Sequence, residues 1–141
     1  MSVFVPVVRL EGAHPVAPPH LEETVRYALL IYSNTELRDR TTEEDRRRID
    51  AGVAAVLERP NIVSWLRLHD PGSATTVGSQ GSVLLTDGPF IDSKDFLGGI
   101  IEVEAESLDG AITLADELQE LRGLMGAIEI RPVRAEPLVG A

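Results

Sequence analysis

Asp87 is the residue best placed for chemistry, because it ends a run of strand-forming residues and starts an Asp-Gly-Pro turn. Gly88 permits a positive φ and Pro89 restricts φ to about −65°, so the turn holds Asp87 in a defined relation to Phe90. A carboxylate at the edge of an apolar cleft can act as a general base. The alternative is structural, since an aspartate in this position also accepts hydrogen bonds from the amides two residues on.

A second candidate for acid–base chemistry is His69, which precedes Asp70. An imidazole exchanges protons near neutral pH, so this pair resembles half of a catalytic acid–base set. Adjacent residues of a strand point to opposite faces, however, and His-Asp-Pro-Gly is an ordinary turn sequence. A catalytic role for His69 therefore requires that its loop approach the Asp87 turn. The other histidines, His14 and His20, fall in a proline-rich connector, where exposed positions are expected.

Three residues are candidates for ligand binding. Trp65 and Phe90 are expected to line an apolar pocket of the usual small-molecule kind, with apolar walls and one or two polar groups. Arg67 is a candidate to bind an acidic ligand in that pocket, with Arg26 as a further option. The competing explanation is that the aromatic residues pack in the core and the arginines lie at the surface.

No pattern in the chain predicts a metal or a cofactor. Four acidic residues near the turn, Asp92, Asp95, Glu102 and Glu104, lack the spacing of a calcium loop or of a histidine–carboxylate triad. The absence of cysteine excludes thiolate ligands and disulfides. The glycine pair 98–99 enters a strand rather than a helix, so it does not predict a phosphate site.

Composition limits the classes of partner. The chain has 141 residues and a formal net charge of −10, which argues against binding to nucleic acid. No apolar run approaches the ~20 residues needed to cross a bilayer, and the first residues do not resemble a signal peptide. These features predict a cytoplasmic protein without a membrane partner.

The elements that position the candidate residues alternate in type along the chain. Thr41, followed three residues later by Glu44, offers a capping box for a first helix, and Ser107 can cap a second helix. Alternating or continuous apolar patterns predict the strands. The predicted strands are 25–32, 62–68, 74–77, 82–85, 99–105 and 127–133.

This order predicts an α+β protein with a ferredoxin-like fold, in which an antiparallel sheet carries two helices on one face and has an inserted β-hairpin. The opposite sheet face would then be uncovered, and its apolar residues would need a second subunit, so a homodimer is expected. The domain is predicted over residues 25–134. Residues 1–24 form an N-terminal extension, with a short strand predicted within 1–10, and residues 135–141 form a C-terminal tail.

The run from Thr86 to Phe90 resembles the DGPF signature of the YCII-related family. Four flanking segments are also similar to that family: 27–32, 74–77, 94–99 and 129–133. The resemblance extends over about residues 25–134. It implies a ferredoxin-like fold that pairs into a dimeric α/β barrel, within a family whose shared biochemical activity is unsettled.

Two function hypotheses follow from the resemblance. The first is a homodimer that binds a small organic acid in a cleft at the signature turn, with lyase or isomerase chemistry in which Asp87 is the base and Phe90 a cleft wall. The alternative is a non-catalytic accessory or regulatory protein, because such proteins often occur beside extracytoplasmic-function sigma factors. Some relatives carry a histidine in the first helix where this chain has Ala51, a departure that favours the alternative. The sequence leaves open whether the protein is an enzyme.

Overall fold

Two long central strands organise the protein, and each of them pairs with its neighbours in antiparallel fashion. The computed structural model describes residues 24–79, 83–123, 125–136 and 138. The larger sheet has four strands in the order β2-β5-β1-β6, and a separate two-stranded sheet consists of β3 and β4. The strands are β1 (Val25–Asn34), β2 (Ile62–Arg67), β3 (Thr75–Ser79), β4 (Val83–Asp87), β5 (Asp95–Ala105) and β6 (Ile128–Pro132).

The central strands are longer than their apolar patterns predict. β1 pairs with β5 from Val25 opposite Ala105 to Asn34 opposite Asp95, with a register shift between Ile31 and Tyr32. Because the pairing continues beyond this irregularity, β5 starts four residues before the predicted strand at Gly99. The added residues, Ser33–Asn34 and Asp95–Gly98, show no regular apolar alternation, so only the long-range pairing reveals that they belong to the strands.

In the described part of the chain, three α-helices and a short 3₁₀ helix (Pro71–Ser73) accompany the sheet; the α-helices are α1 (Thr35–Arg40), α2 (Glu43–Leu57) and α3 (Leu108–Arg122). The short helix α1 was not predicted, and it moves the start of the next helix by one residue. Thr41 is the C-cap of α1, and its hydroxyl donates to the carbonyl oxygen of Leu37 at 2.7 Å. Thr42 is therefore the N-cap of α2, where its hydroxyl accepts a hydrogen bond from the amide of Asp45 at 3.1 Å.

The hydrophobic core lies between one face of the sheet and the helices α2 and α3. Alternate residues of the central strands, such as Leu29 and Val103, are fully buried against Val56 of α2 and Leu118 of α3. Each such side chain stabilises the folded state by roughly 1.5–3 kcal/mol through removal of apolar surface from water. The prediction of an α+β protein is confirmed.

The hairpin of β3 and β4 lies outside this core. Val77 and Leu85, which face each other across the hairpin, are 65% and 74% exposed. The turn after β4 is closed by the amide of Gly88, which donates to the carbonyl oxygen of Ala74 at 2.6 Å.

The strand predicted within residues 1–10, together with His14 and His20, lies outside the described residues. Within the described part of the chain, no helix is both long enough and apolar enough to span a membrane.

Candidate ligand-binding cleft

A cleft of about 420 Å³ lies between the sheet and helix α2, and it opens beside the edge strand β2. Its inner wall is apolar and includes Val53 and Leu57 of α2, Ile101 of β5 and Leu118 of α3. A volume of this size is within the range of about 300–1,000 Å³ that small-molecule sites occupy. The cleft is therefore large enough to surround a ligand of small organic acid size.

Trp65 and Arg67, two of the predicted ligand-binding residues, both line this cleft. Trp65 pairs with Ile101 and Arg67 pairs with Gly99, so both side chains are on the sheet face that carries the helices. Because β2 is an edge strand, Trp65 stays 50% exposed, and its ring forms part of the open side of the cleft.

Gly99 lines the cleft at a point where the backbone of β2 lies very close to β5. A Cβ atom at this position would lie 2.8 Å from the carbonyl oxygen of Leu66, which is closer than side-chain carbons approach backbone oxygens. The neighbouring residue Gly98 also lines the cleft without a side chain. The glycine pair that enters β5 thus lines the cleft with backbone atoms alone.

An acid–base pair lies at the mouth of the cleft. Nη2 of Arg67 is 3.5 Å from Oδ1 of Asp50, which is on α2. Both side chains are more than half exposed, so this ion pair is weak and can exchange partners at little cost. A carboxylate and a guanidinium are therefore both available to a molecule that enters the cleft.

Arg122 lines the inner end of the cleft and is a functional candidate that the sequence did not identify. It is the last residue of α3 and only 8% exposed. Its Nη2 donates to the carbonyl oxygen of Tyr32 at 2.6 Å and to Oγ of Ser33 at 3.4 Å, while Nη1 donates to Oε1 of Gln119 at 3.0 Å. Burial lowers the pKa of the Arg122 guanidinium below its ordinary value. The sequence does contain a signal for this burial, because Arg122 follows Leu118 by four residues and therefore lies on the same face of α3.

Asp87 and Phe90 are at a different place on the surface. Among the described residues that line the cleft, neither of the two appears. The Asp87 side chain is exposed at the end of β4 and makes no hydrogen bond with another described residue, and Phe90 is 84% exposed. The turn is held instead by its backbone and by Thr76, whose hydroxyl donates to the carbonyl oxygen of Gly88 at 2.7 Å.

His69 is exposed in the loop after β2. Its neighbour Asp70 forms an ion pair with Arg38 of the segment after β1, so the carboxylate that was considered as its partner is directed elsewhere. The described part of the chain holds no group of three or more histidine, aspartate and glutamate side chains suited to a metal ion.

The fold and the cleft together define an α+β protein with an antiparallel sheet, two covering helices and a concave site between sheet and helix. Comparison with known proteins places the chain more narrowly. The model of the YCII-related domain matches residues 25–136, and the chain belongs to this family. A protein of Rhizobium meliloti (strain 1021), itself described as uncharacterized, is 29% identical over 112 residues, which is 76% of this chain and 90% of that protein.

Proposed function

We propose that this protein binds a small organic acid in the cleft between the sheet and α2. The observation that carries the proposal is the combination of a cavity of about 420 Å³ with apolar walls and one opposite-charge pair at its mouth. Small-molecule sites have this composition, in which apolar walls supply affinity and a few polar groups fix the orientation. Arg67 is the group that binds the carboxylate of the ligand, and Trp65 covers its apolar part.

A titration with aromatic carboxylates tests this proposal. Phenylacetate and its uncharged analogue phenylacetamide are compared by isothermal titration calorimetry, with the full chain at constant ionic strength. We expect phenylacetate to bind more tightly than the amide, and Trp65→Ala and Arg67→Met to weaken it about tenfold each, which corresponds to about 1.4 kcal/mol. Arg134→Met, at a site that is 86% exposed and remote from the cleft lining, is the matched control. Equal affinity of all variants would refute the assignment.

The chemistry that we propose for a bound acid is proton abstraction of the lyase or isomerase type. Two carboxylates are candidates for the base: Asp50 at the mouth of the cleft and Asp87 at the turn. The position of Asp50, 3.5 Å from Arg67, supports the first, because the arginine would hold a substrate carboxylate beside it. The Asp-Gly-Pro-Phe run supports membership of the DGPF subgroup and keeps Asp87 as the second candidate.

We further propose that the fold is ferredoxin-like and that two copies pair through the open face of the sheet. The strand order β2-β5-β1-β6 supports the first statement. The register supports the second, because it aligns Leu66, Ile100 and Leu30 across three strands on the face that carries no helix. Leu66 is 49% exposed in the single chain, and burial of such a row is a common basis for subunit pairing.

Light scattering after size-exclusion chromatography tests the pairing. Leu66→Asp is expected to convert a dimer into a monomer, because it places a charge in the apolar row of the proposed interface. Leu85→Asp, on the exposed hairpin, is the matched control and should leave the dimer intact. A wild-type protein that stays monomeric at about 100 μM would contradict the proposal, since a specific interface of standard size has a lower dissociation constant.

The exposed hairpin supports a second candidate function, that of an accessory protein that binds another protein. Val77, Leu85, Phe90 and Ile91 are all more than 60% exposed, and they lie on or next to the two-stranded sheet. Large apolar side chains grouped in this way are typical of protein-binding surfaces. A sigma factor of the extracytoplasmic-function class is the partner to test, with Phe90→Ala expected to weaken the complex and Trp65→Ala expected to leave it unchanged.

A further inference from the structure

Arg122 lies at the border between the cleft and a second concavity, which we call the basic hollow. This hollow has a volume of about 260 Å³ and lies between α1, the start of α2 and the end of α3. Ile49, Arg122 and Met125 line both the hollow and the cleft. The two concavities are therefore adjacent, and the buried guanidinium of Arg122 lies where they meet.

The charges around the hollow are unbalanced. Its lining includes three arginines, Arg40, Arg48 and Arg122, and one acidic residue, Asp45. Asp45 is paired with Arg48 at 3.0 Å. Arg40 forms no hydrogen bond or ion pair with another described residue, and Arg122 has no carboxylate within ion-pair distance in that same part of the chain. This local excess of positive charge is opposite in sign to the formal net charge of the chain, which is −10.

The surroundings of Arg122 explain why an anion would be stabilised there. Removal of a guanidinium from water is costly unless charged or polar groups replace the lost hydration. The acceptors that surround Arg122 are neutral, namely the oxygens of Tyr32, Ser33 and Gln119. These bonds tie the end of α3 to β1, which is a structural role, but they leave the positive charge without a counter-charge. An oxyanion in the hollow would supply it.

We propose that the basic hollow is an anion subsite, which takes a carboxylate or phosphate group of the molecule whose apolar part lies in the cleft. The assignment of the apolar part rests on the proposed function of the cleft, whereas the anion subsite can be tested by itself. A ligand that fills both concavities carries an oxyanion near Arg122 and Arg40, joined to an apolar body that extends toward Trp65. This arrangement selects amphiphilic organic acids and phosphates over purely polar ones.

Inorganic phosphate is the first probe, because it is too small and too polar to depend on the cleft. Phosphate is titrated against chloride at constant ionic strength, and binding is followed by the NMR shifts of backbone amides around the hollow. We expect saturable shifts in the wild type, and an affinity about tenfold lower in Arg122→Met and about threefold lower in Arg40→Met. Arg134→Met, which removes one exposed positive charge far from the hollow lining, is the matched control and should bind phosphate like the wild type.

Arg40→Met keeps the test decisive if the buried substitution disturbs folding. Arg40 is exposed and without a partner among the described residues, so its replacement is expected to leave the circular dichroism spectrum and the melting temperature unchanged. Phosphate binding that is equal in wild type, Arg40→Met and Arg134→Met would overturn the proposal. Absence of saturable shifts in the wild type would overturn it as well.

A second probe separates this inference from the proposed function. Phenyl phosphate carries both an apolar ring and an oxyanion, and we expect Trp65→Ala to weaken phenyl phosphate while leaving inorganic phosphate unchanged. If phosphate binding depends on Arg40 and Arg122 but Trp65→Ala affects neither probe, the anion subsite stands and the cleft assignment fails. If phenylacetate requires Trp65 and Arg67 while phosphate ignores the hollow arginines, the cleft assignment stands and the anion subsite fails.

Discussion

The cleft under α2 and the turn after β4 differ in how much of the tertiary structure supports them. The cleft is bounded by residues of β1, β2, β5, α2 and α3, and it combines apolar walls with groups of both charges. The turn is held by a few local hydrogen bonds, and its most distinctive side chains, Asp87 and Phe90, are exposed in the single chain. The turn with the most distinctive sequence run is therefore separate from the concavity, which lies at residues with no comparable signature.

The largest difference between the two regions is expected in stability. Leu118 is 1% exposed and lines the cleft, so Leu118→Ala leaves a buried void and should lower the free energy of unfolding by about 2–5 kcal/mol. Leu85 is 74% exposed, and Leu85→Ala should change stability by no more than about 0.5 kcal/mol. Urea denaturation of both variants measures the contrast. Similar losses would mean that the hairpin is buried in the assembled protein.

The second contrast concerns the base for proton abstraction. Phenylpyruvate in D₂O provides the readout, because removal of the proton next to its keto group leads to deuterium incorporation that NMR detects. If the enzyme hypothesis holds, Asp50→Asn should slow the protein-dependent exchange by about 100-fold or more, and Asp87→Asn should change it less than about twofold. The reverse result would move the chemistry to the turn. Circular dichroism of both variants controls for folding.

Two glycines with positive φ, Gly126 and Gly88, are expected to differ in how much stability is lost when alanine replaces them. At Gly126, where φ is 136°, a Cβ atom would clash with the carbonyl oxygen of Tyr32, the same oxygen that accepts from Arg122. At Gly88, where φ is 103°, a Cβ atom would meet no neighbour within 4 Å. Gly126→Ala should therefore cost about 2–3 kcal/mol and Gly88→Ala about 1 kcal/mol, measured by thermal unfolding. Equal costs would show that the contact with Tyr32 relaxes freely.

The smallest expected effect is a pH dependence of the free energy of unfolding, which arises from the ion pair between Arg59, just after α2, and Glu117 of α3. The hydrogen bond from Arg59 holds the pKa of Glu117 below its ordinary value, and the same pairing raises the pKa of Arg59. The ionised carboxylate is thus favoured in the folded state, so its contribution to stability is present above the ordinary pKa of glutamate and disappears as the pH falls through the lowered pKa. Both groups are accessible to solvent, which keeps the effect small.

Melting temperatures measured across acidic and neutral pH check this expectation. The wild type should exceed Glu117→Gln at about pH 7, and the two should converge as the pH falls through the lowered pKa of Glu117 and the carboxylate becomes protonated. Arg59→Gln is the control, because removal of either partner should abolish the same pH-dependent difference. A difference that persists unchanged at low pH would show that the pairing is not its source.

Local chemistry explains which features were predictable. The strands that alternate apolar and polar residues, the turn at Gly88 and the cap position of Ser107 depend on residues a few positions apart, and the structure has each of these elements near the expected place. The cap of the first long helix was predicted at Thr41 and lies at Thr42, because α1 uses Thr41 as its own end. A six-residue helix without an apolar stripe gives too weak a pattern to be seen.

The sequence by itself determined the α+β class, the family and the candidates Trp65 and Arg67, because periodicity, turn chemistry and motif spacing are properties of neighbouring residues. Only the tertiary structure decided that these two side chains share a cleft with Asp50, and that Arg122 is buried beside Tyr32, 90 positions earlier in the chain. Such contacts depend on strand register and helix packing, in which one change of register would exchange the two faces of a strand. For that reason the sequence could name Trp65 and Arg67 as candidates, whereas their grouping with Asp50 and Arg122 required the fold.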